Sequence, residues 1–232
     1  MKKPFAQFMI ATLIVSGASA AAPSAVQPAQ AAGAQTAASS AAAVSIGMSG
    51  SDVSLLQQDL QTLGYFTYKT ATGYFGTITA QAVRAFQSAY GLTATGQSDV
   101  ATRSAIDRAL VKRKLLANAN SYIGTPYVWG GVTPAGFDCS GFVYFMFNKY
   151  GVAMSRTNSA AMAEMGTPIS RSKLQPGDLV FFALNDPGVV SHVGFYIGNG
   201  EFISATRSAG IYVQKLDSSY WGPKYTGARR VY

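Results

Sequence analysis

The run Phe137-Asp138-Cys139-Ser140-Gly141-Phe142-Val143 marks a change in local structure. Ahead of it lie Tyr127-Val128-Trp129-Gly130-Gly131 and a Gly-rich turn; after it, as far as Tyr150, apolar residues recur with helical spacing. Asp138 is a natural N-cap, so Cys139 falls in the first helical turn, where the positive end of the helix dipole is expected to lower a thiol's pKa. Downstream the period becomes two. Leu174-Gln175-Pro176-Gly177-Asp178 reads as a turn leading into a strand over 179–182, and residues 189–197 read as a second strand that contains His192. Gly198-Asn199-Gly200 is a hairpin turn, and 201–205 returns. Along the outgoing strand Val193, Phe195 and Ile197 share one face, while His192, Gly194 and Tyr196 share the other. A helix followed by antiparallel strands gives an α+β domain. A first-turn Cys ahead of a sheet that carries a His is a cysteine–histidine arrangement suited to nucleophilic catalysis.

Residue counts sharpen that reading. The chain has one Cys, Cys139, and one His, His192. One Cys cannot form an internal disulfide, and one Cys with one His cannot build a usual protein-ligated zinc site, so neither a metal nor another cofactor is expected. The formal charge of the 232 residues is +8, or +6 without Lys2 and Lys3. A basic chain is attracted to polyanions. The cations are scattered and no nucleic-acid-binding motif is present, so nucleic acid is not the expected partner. The one basic run, Lys112-Arg113-Lys114, reads as a solvated helix face.

The N-terminus has Lys2 and Lys3, an apolar run over 8–15 and the small-residue pattern Gly17-Ala18-Ser19-Ala20, as a secretion signal requires; Ala29-Gln30-Ala31 offers a second cleavage point. The apolar run is shorter than the roughly 20 residues of a membrane span. No Cys lies near it to carry a lipid anchor. Residues 21–44 are almost all Ala, Ser, Gln, Pro and Gly, a composition that does not offset ordering entropy and reads as a disordered tether. The expected organisation is a signal peptide over 1–20, this linker over 21–44, a small domain over 45–111 and a second domain over 112–232.

The small domain reads as three helices. Val53, Leu56, Leu60 and Leu63 form one stripe, with Ser51 or Asp52 as cap and Gly64 as terminator. Thr77 or Thr79 starts a second helix carrying Val83, Phe86 and Tyr90, which Gly91 ends. Ser98 or Asp99 starts a third, with Ile106 and Leu110 inward. There is a faint duplication: Thr72-Gly73 precedes Thr79 and Val83 at the same distances as Thr95-Gly96 precedes Thr102 and Ile106. No Pro- or Gly-rich linker comes next, so the two domains are expected to be close-packed.

These residues carry two resemblances. The pattern Gly50, Val53, Leu56-Gln57, Leu60, Leu63-Gly64-Tyr65, Thr72-Gly73-Tyr74-Phe75-Gly76, Thr79, Ala82-Val83, Phe86-Gln87, Gly91-Leu92, Gly96 and Thr102 resembles the three-helix peptidoglycan-binding domain over about 46–110. Tyr65, Tyr68 and Tyr74 there are candidates either to stack on sugar faces or to cover their own loop. From about 115 to 232, the runs Gly124-Thr125-Pro126-Tyr127-Val128-Trp129-Gly130-Gly131, Phe137-Asp138-Cys139-Ser140-Gly141-Phe142, Gln175-Pro176-Gly177-Asp178-Leu179-Val180-Phe181-Phe182 and His192-Val193-Gly194-Phe195-Tyr196-Ile197-Gly198 resemble the NlpC family of cell-wall cysteine endopeptidases. That resemblance implies a papain-like fold, Cys139 as nucleophile, His192 as base and Tyr127 as a hydroxyl that helps to hold the oxyanion. The implied substrate is peptidoglycan, usually the bond between γ-D-glutamate and a diamino acid of the stem peptide, and the implied location is outside the cell at the wall, or in the periplasm where an outer membrane exists.

The family's third catalytic position, usually His and sometimes Asn or Gln, falls by spacing on Ser204. With a three-residue hairpin loop Ser204 pairs with Gly194, diagonal to His192 at about 7 Å, so a bridging water is expected; a two-residue loop puts it on the opposite face. Gly194 is expected to leave room for a longer side chain at 204, and Thr206 and Asp186 are the next candidates to orient the ring. Two other functions stay open: a wall-binding protein with weak or no catalysis, and an enzyme that cuts the muramoyl–alanine amide.

Overall fold

The computed structural model describes residues 43–232. The expected signal peptide and nearly all of the expected linker lie outside these residues. No helix among the described residues is long and apolar enough to cross a membrane.

Three helices come first: α1 (Ser51–Thr62), α2 (Thr77–Ala89) and α3 (Val100–Ala119). Val53, Leu56, Leu60, Phe75, Val83, Phe86 and Ile106 are buried together between them. Gly64 and Gly91, just past α1 and α2, have φ of 85° and 71°, which a side chain would strain. Asp99 caps α3 through Thr102 N–H, as its position predicts. The cap of α1 differs from expectation: neither Ser51 nor Asp52 fills it, and the N-cap is Gly50, whose carbonyl accepts from Ser54 N–H.

The faint duplication has a physical basis in two buried glutamines. Gln57 Oε1 accepts from Gly73 N–H at 3.0 Å, while its Nε2 donates to Tyr74 O at 3.0 Å and Thr79 Oγ1 at 2.9 Å. Gln87 Oε1 accepts from Gly96 N–H at 2.9 Å, while its Nε2 donates to Gln97 O at 2.8 Å and Thr102 Oγ1 at 3.0 Å. Each Thr-Gly turn is thus tied to the preceding helix and to the start of the next. A long amide satisfies turn backbone that is shielded from water.

α3 serves two cores. Ala105, Ile106 and Ala109 pack in the helical module, and Leu115, Leu116 and Ala119 pack in the core of the second domain. After α3 come the short strands β1 (Val132–Thr133) and β2 (Gly136–Phe137), α4 (Cys139–Lys149) and α5 (Ser159–Met162). Then comes an antiparallel sheet of β3 (Thr167–Pro168), β4 (Leu179–Phe182), β5 (His192–Gly198), β6 (Glu201–Thr206), β7 (Gly210–Lys215) and β8 (Tyr225–Arg230), in the order β3-β8-β4-β5-β6-β7. Leu179, Phe181, Val193, Phe195 and Ile203 face α4, meeting Phe142, Met146 and Phe147. The other face buries Val180, Phe182, Phe202 and Ala228 under Trp221. Both faces are covered, so the strands read as nearly continuous apolar runs.

The basic run departs from expectation at Lys112. Arg113 and Lys114 are exposed, but Lys112 is only 3% exposed. Its ammonium lies 3.8 Å from the buried Asp178 carboxylate and its stem lies against Gly177. Arg230 donates to the same carboxylate through Nε and a terminal nitrogen, each at 2.8 Å, and covers the Tyr90 ring at 5.5 Å. Burial pulls the Lys112 ammonium down to about 8, with Asp178 opposing. The Pro-Gly-Asp turn is therefore an acceptor for α3, and position 112 is buried by tertiary contact that periodicity alone does not reveal.

Candidate active site

Cys139 opens α4, and Asp138 before it is more than a cap. Asp138 Oδ1 accepts from Gly141 N–H at 2.5 Å and Ser140 Oγ at 3.0 Å; Oδ2 accepts from Gly130 N–H at 2.9 Å and from Arg156 at 2.5 Å. One carboxylate thereby clamps the Gly130-Gly131 turn against the Cys helix. The approach demands glycine: a Cβ at Gly141 would lie 2.0 Å from Gly131 O. Tyr127 is tied to the same structure, forming a bridge with Phe137 two residues before the Cys.

His192 starts β5 opposite Phe182. Its ring lies 5.1 Å from Trp221 at 30° and is 4% exposed. His192 Nε2 and Ser204 Oγ are 2.9 Å apart. Ser204, 1% exposed, also accepts from Gln214 Nε2 at 2.9 Å. The second Gln214 amide hydrogen points to Tyr212 O at 3.3 Å. With Nε2 engaged by Ser204, Nδ1 is the ring nitrogen left to act as base.

This contact corrects the expectation of a bridging water. The hairpin closes with Gly198 opposite Glu201 around Asn199-Gly200, the two-residue loop, but the register shifts between Tyr196 and Gly198. The bulge restores the parity of a three-residue loop. Phe195 then faces Ile203, and the register carried back one step sets Ser204 opposite Gly194 on His192's face. A Cβ at Gly194 would lie 2.9 Å from Ser204 Cβ, so this glycine lets the two strands close and bring the hydroxyl to the ring directly. It leaves no room for a longer residue at 204: the space is already filled by His192 on one side and Gln214 on the other. Thr206 donates to Gly210 O across the next turn, and Asp186 belongs to the turn before Val189; neither hydrogen-bonds the ring.

Cys139, His192 and Tyr127 line one cavity of about 460 Å³ with Trp129, Arg207 and Trp221 among its other walls. Burial pushes the Cys139 thiol above its ordinary range, opposed by the backbone of Val193. The expected lowering by the helix dipole is overturned, because desolvation of a thiolate and the nearby Asp138 charge outweigh the helix N-terminus. Burial also pulls His192 down to about 4. The resting pair at neutral pH is thus thiol and imidazole rather than an ion pair. Burial raises the Tyr127 hydroxyl, with a hydrogen bond from Arg207 acting the other way.

Gln214, Trp221 and Arg207 were not legible as site residues. Gln214 and Trp221 act from a strand and a turn beyond the motifs, and Arg207 sits in the turn between β6 and β7. In the helical module, Tyr65 packs edge-on to Phe86 at 5.3 Å, whereas Tyr68 and Tyr74 remain exposed.

Residues 49–106 match the putative peptidoglycan binding domain, and residues 124–230 match the NlpC/P60 family. The chain is 44% identical over half its length to "Probable peptidoglycan endopeptidase LytE" of Bacillus subtilis (strain 168), covering 34% of that protein. It is 39% identical over 56% of its length to "Gamma-DL-glutamyl hydrolase" of the same organism, covering 32% of it. It is 45% identical over 47% of its length to "Murein DD-endopeptidase MepH" of Escherichia coli (strain K12), covering 42% of that chain. The matches thus span less than half of each relative's own length. The architecture is α+β, with the Cys helix packed on an antiparallel sheet that carries the His. Through residues 124–230 the chain belongs to the NlpC/P60 family, with a peptidoglycan-binding domain ahead of it.

Proposed function

We propose that this protein is an exported, wall-associated cysteine endopeptidase that hydrolyses the γ-D-glutamyl–diamino acid bond of peptidoglycan stem peptides. The observation that carries the reading is the convergence of the chain's one Cys and one His on a single cavity, with the imidazole held from behind by Ser204. The relative named for γ-DL-glutamyl hydrolysis supports the bond; the one named as a DD-endopeptidase marks the competing choice.

In this reading His192 Nδ1 takes the thiol proton as Cys139 Sγ attacks the carbonyl carbon. The neutral resting pair means that charge separates only at that step, so the oxyanion donors matter most there. Those donors are the Cys139 N–H, which a first-turn residue does not spend inside its helix, and the Tyr127 hydroxyl. The imidazolium returns the proton to the leaving amine, giving a thioester. Water, deprotonated by His192, then attacks the thioester carbonyl; the acid leaves and the thiol is restored.

The test is mass spectrometry of muropeptides after digestion of purified peptidoglycan by the parent chain and by Cys139→Ala. New termini at γ-D-glutamate with the parent alone are expected, while Cys139→Ala still sediments with sacculi. Termini at alanine freed from muramic acid would establish the amidase instead. Binding without hydrolysis by the parent would establish a binding protein.

A further inference from the structure

The cavity wall holds one permanently charged side chain, Arg207. It lies in the turn between β6 and β7, three residues past Ser204. Among the described residues no carboxylate pairs with it, although Arg103, Arg156, Arg171, Arg229 and Arg230 each have one. Arg207 is exposed yet held: its guanidinium carbon lies 5.8 Å from the Tyr127 ring centroid and 5.6 Å from that of Trp129. Trp129 is itself 79% exposed, an unusual position for a Trp with no other duty. The hydrogen bond to the Tyr127 hydroxyl takes one of the five guanidinium N–H donors and leaves others for a carboxylate, whose two oxygens the planar fork matches. It also fixes a long side chain in advance, reducing the entropy lost when an anion binds.

We propose that Arg207, supported by Tyr127 and Trp129, is a carboxylate-binding subsite on the rim of the Cys139–His192 cleft, and that its ligand is a free carboxylate of the peptide substrate beside the bond cut. This rests on the peptidase reading above and narrows it. In a γ-linked glutamate the side-chain carboxyl forms the amide, so the α-carboxylate stays free next to the scissile bond; a diamino acid on the other side carries a carboxylate of its own. A muramoyl–alanine amide has no carboxylate directly flanking it. A lone unpaired cation at the cleft therefore favours the γ-glutamyl bond over the muramoyl–alanine amide.

The test uses the full chain carrying Cys139→Ala, so that binding is read without turnover, and three synthetic peptides of the form L-Ala-γ-D-Glu-diamino acid. One is unmodified, one is amidated at the glutamate α-carboxylate and one at the diamino acid carboxylate. By calorimetry, one of the two amidations is expected to weaken binding about 10- to 100-fold, the range of a charged hydrogen-bonded contact, and thereby to identify which carboxylate docks. Adding Arg207→Ala is expected to weaken the unmodified peptide by a similar factor and to erase that preference. Arg207→Lys should fall between, since it keeps the charge without the fork. Equal binding of all three peptides, or a preference that survives Arg207→Ala, would overturn the subsite. If the chain with Cys139 intact meanwhile cleaves the peptide, only the subsite falls. If it cleaves none and the Cys139→Ala chain binds none, the peptidase reading falls with it.

Discussion

Replacing Ser204 by Ala removes one oxygen from behind His192. The hydroxyl lies 2.9 Å from Nε2 and is sealed from solvent, so no water replaces it at once. In the resting state a neutral contact of this kind contributes ~1 kcal/mol. Once the imidazole has taken the thiol proton, Nε2–H is a charged donor in a dry site, and its bond to Ser204 contributes ~1.5–3 kcal/mol. The difference, ~0.5–2 kcal/mol, acts on the chemical step, so kcat should fall about two- to thirtyfold. KM should hardly move, because Ser204 is not among the residues that wall the cavity. Gln214→Leu leaves the hydroxyl but frees its rotation, and a loss of about three- to tenfold is expected. Ser204→His alone should be worse than Ser204→Ala, because Gln214 and His192 each already lie 2.9 Å from the hydroxyl; pairing it with Gln214→Ala opens the space and should restore activity. The assay is single-turnover cleavage of a defined stem peptide, with saturation curves for each variant. A Ser204→Ala protein within twofold of the parent, or one that changes only KM, would refute Ser204 as the orienting group.

Two further outcomes are expected. With His192 held down to about 4 by burial, the acid limb of kcat/KM should lie near pH 4–5 rather than 6.5, and because the unfolded chain binds this proton more readily, stability should fall by ~1.4 kcal/mol per unit as pH drops from about 6.5 towards 4; a limb at 6.5 in the rate profile or urea midpoints flat across that window would contradict the buried neutral ring. Gln57→Ala and Gln87→Ala should each cost ~2–3 kcal/mol by stranding a turn N–H and a Thr hydroxyl, measured by chemical denaturation, and a marked inequality between them would argue against the duplication.

Much of this protein was legible residue by residue. The stripe of Val53, Leu56 and Leu60 makes α1 because a helix repeats every 3.6 residues, and Asp138 marks the start of α4 because a short carboxylate caps a first turn. The pairing of a lone Cys with a lone His, and the exclusion of a protein zinc site, needed only counting. What tertiary structure decided lies where a second element enters. Lys112 reads as solvent-facing until Asp178, 66 positions on, closes over it. The thiol's pKa turns on how much water surrounds it, which helix position does not reveal, and burial outweighs the lowering at the helix N-terminus. Ser204 could be placed on either face of its strand from the loop alone; a one-residue bulge near Tyr196 chooses the face, because side chains alternate with a period of two. Gln214, Arg207 and Trp221 acquire roles only through neighbours far from them along the chain. Local sequence sets propensity and capping, whereas desolvation, register and cross-strand contact depend on residues far along the chain and exist only once the sheet has closed.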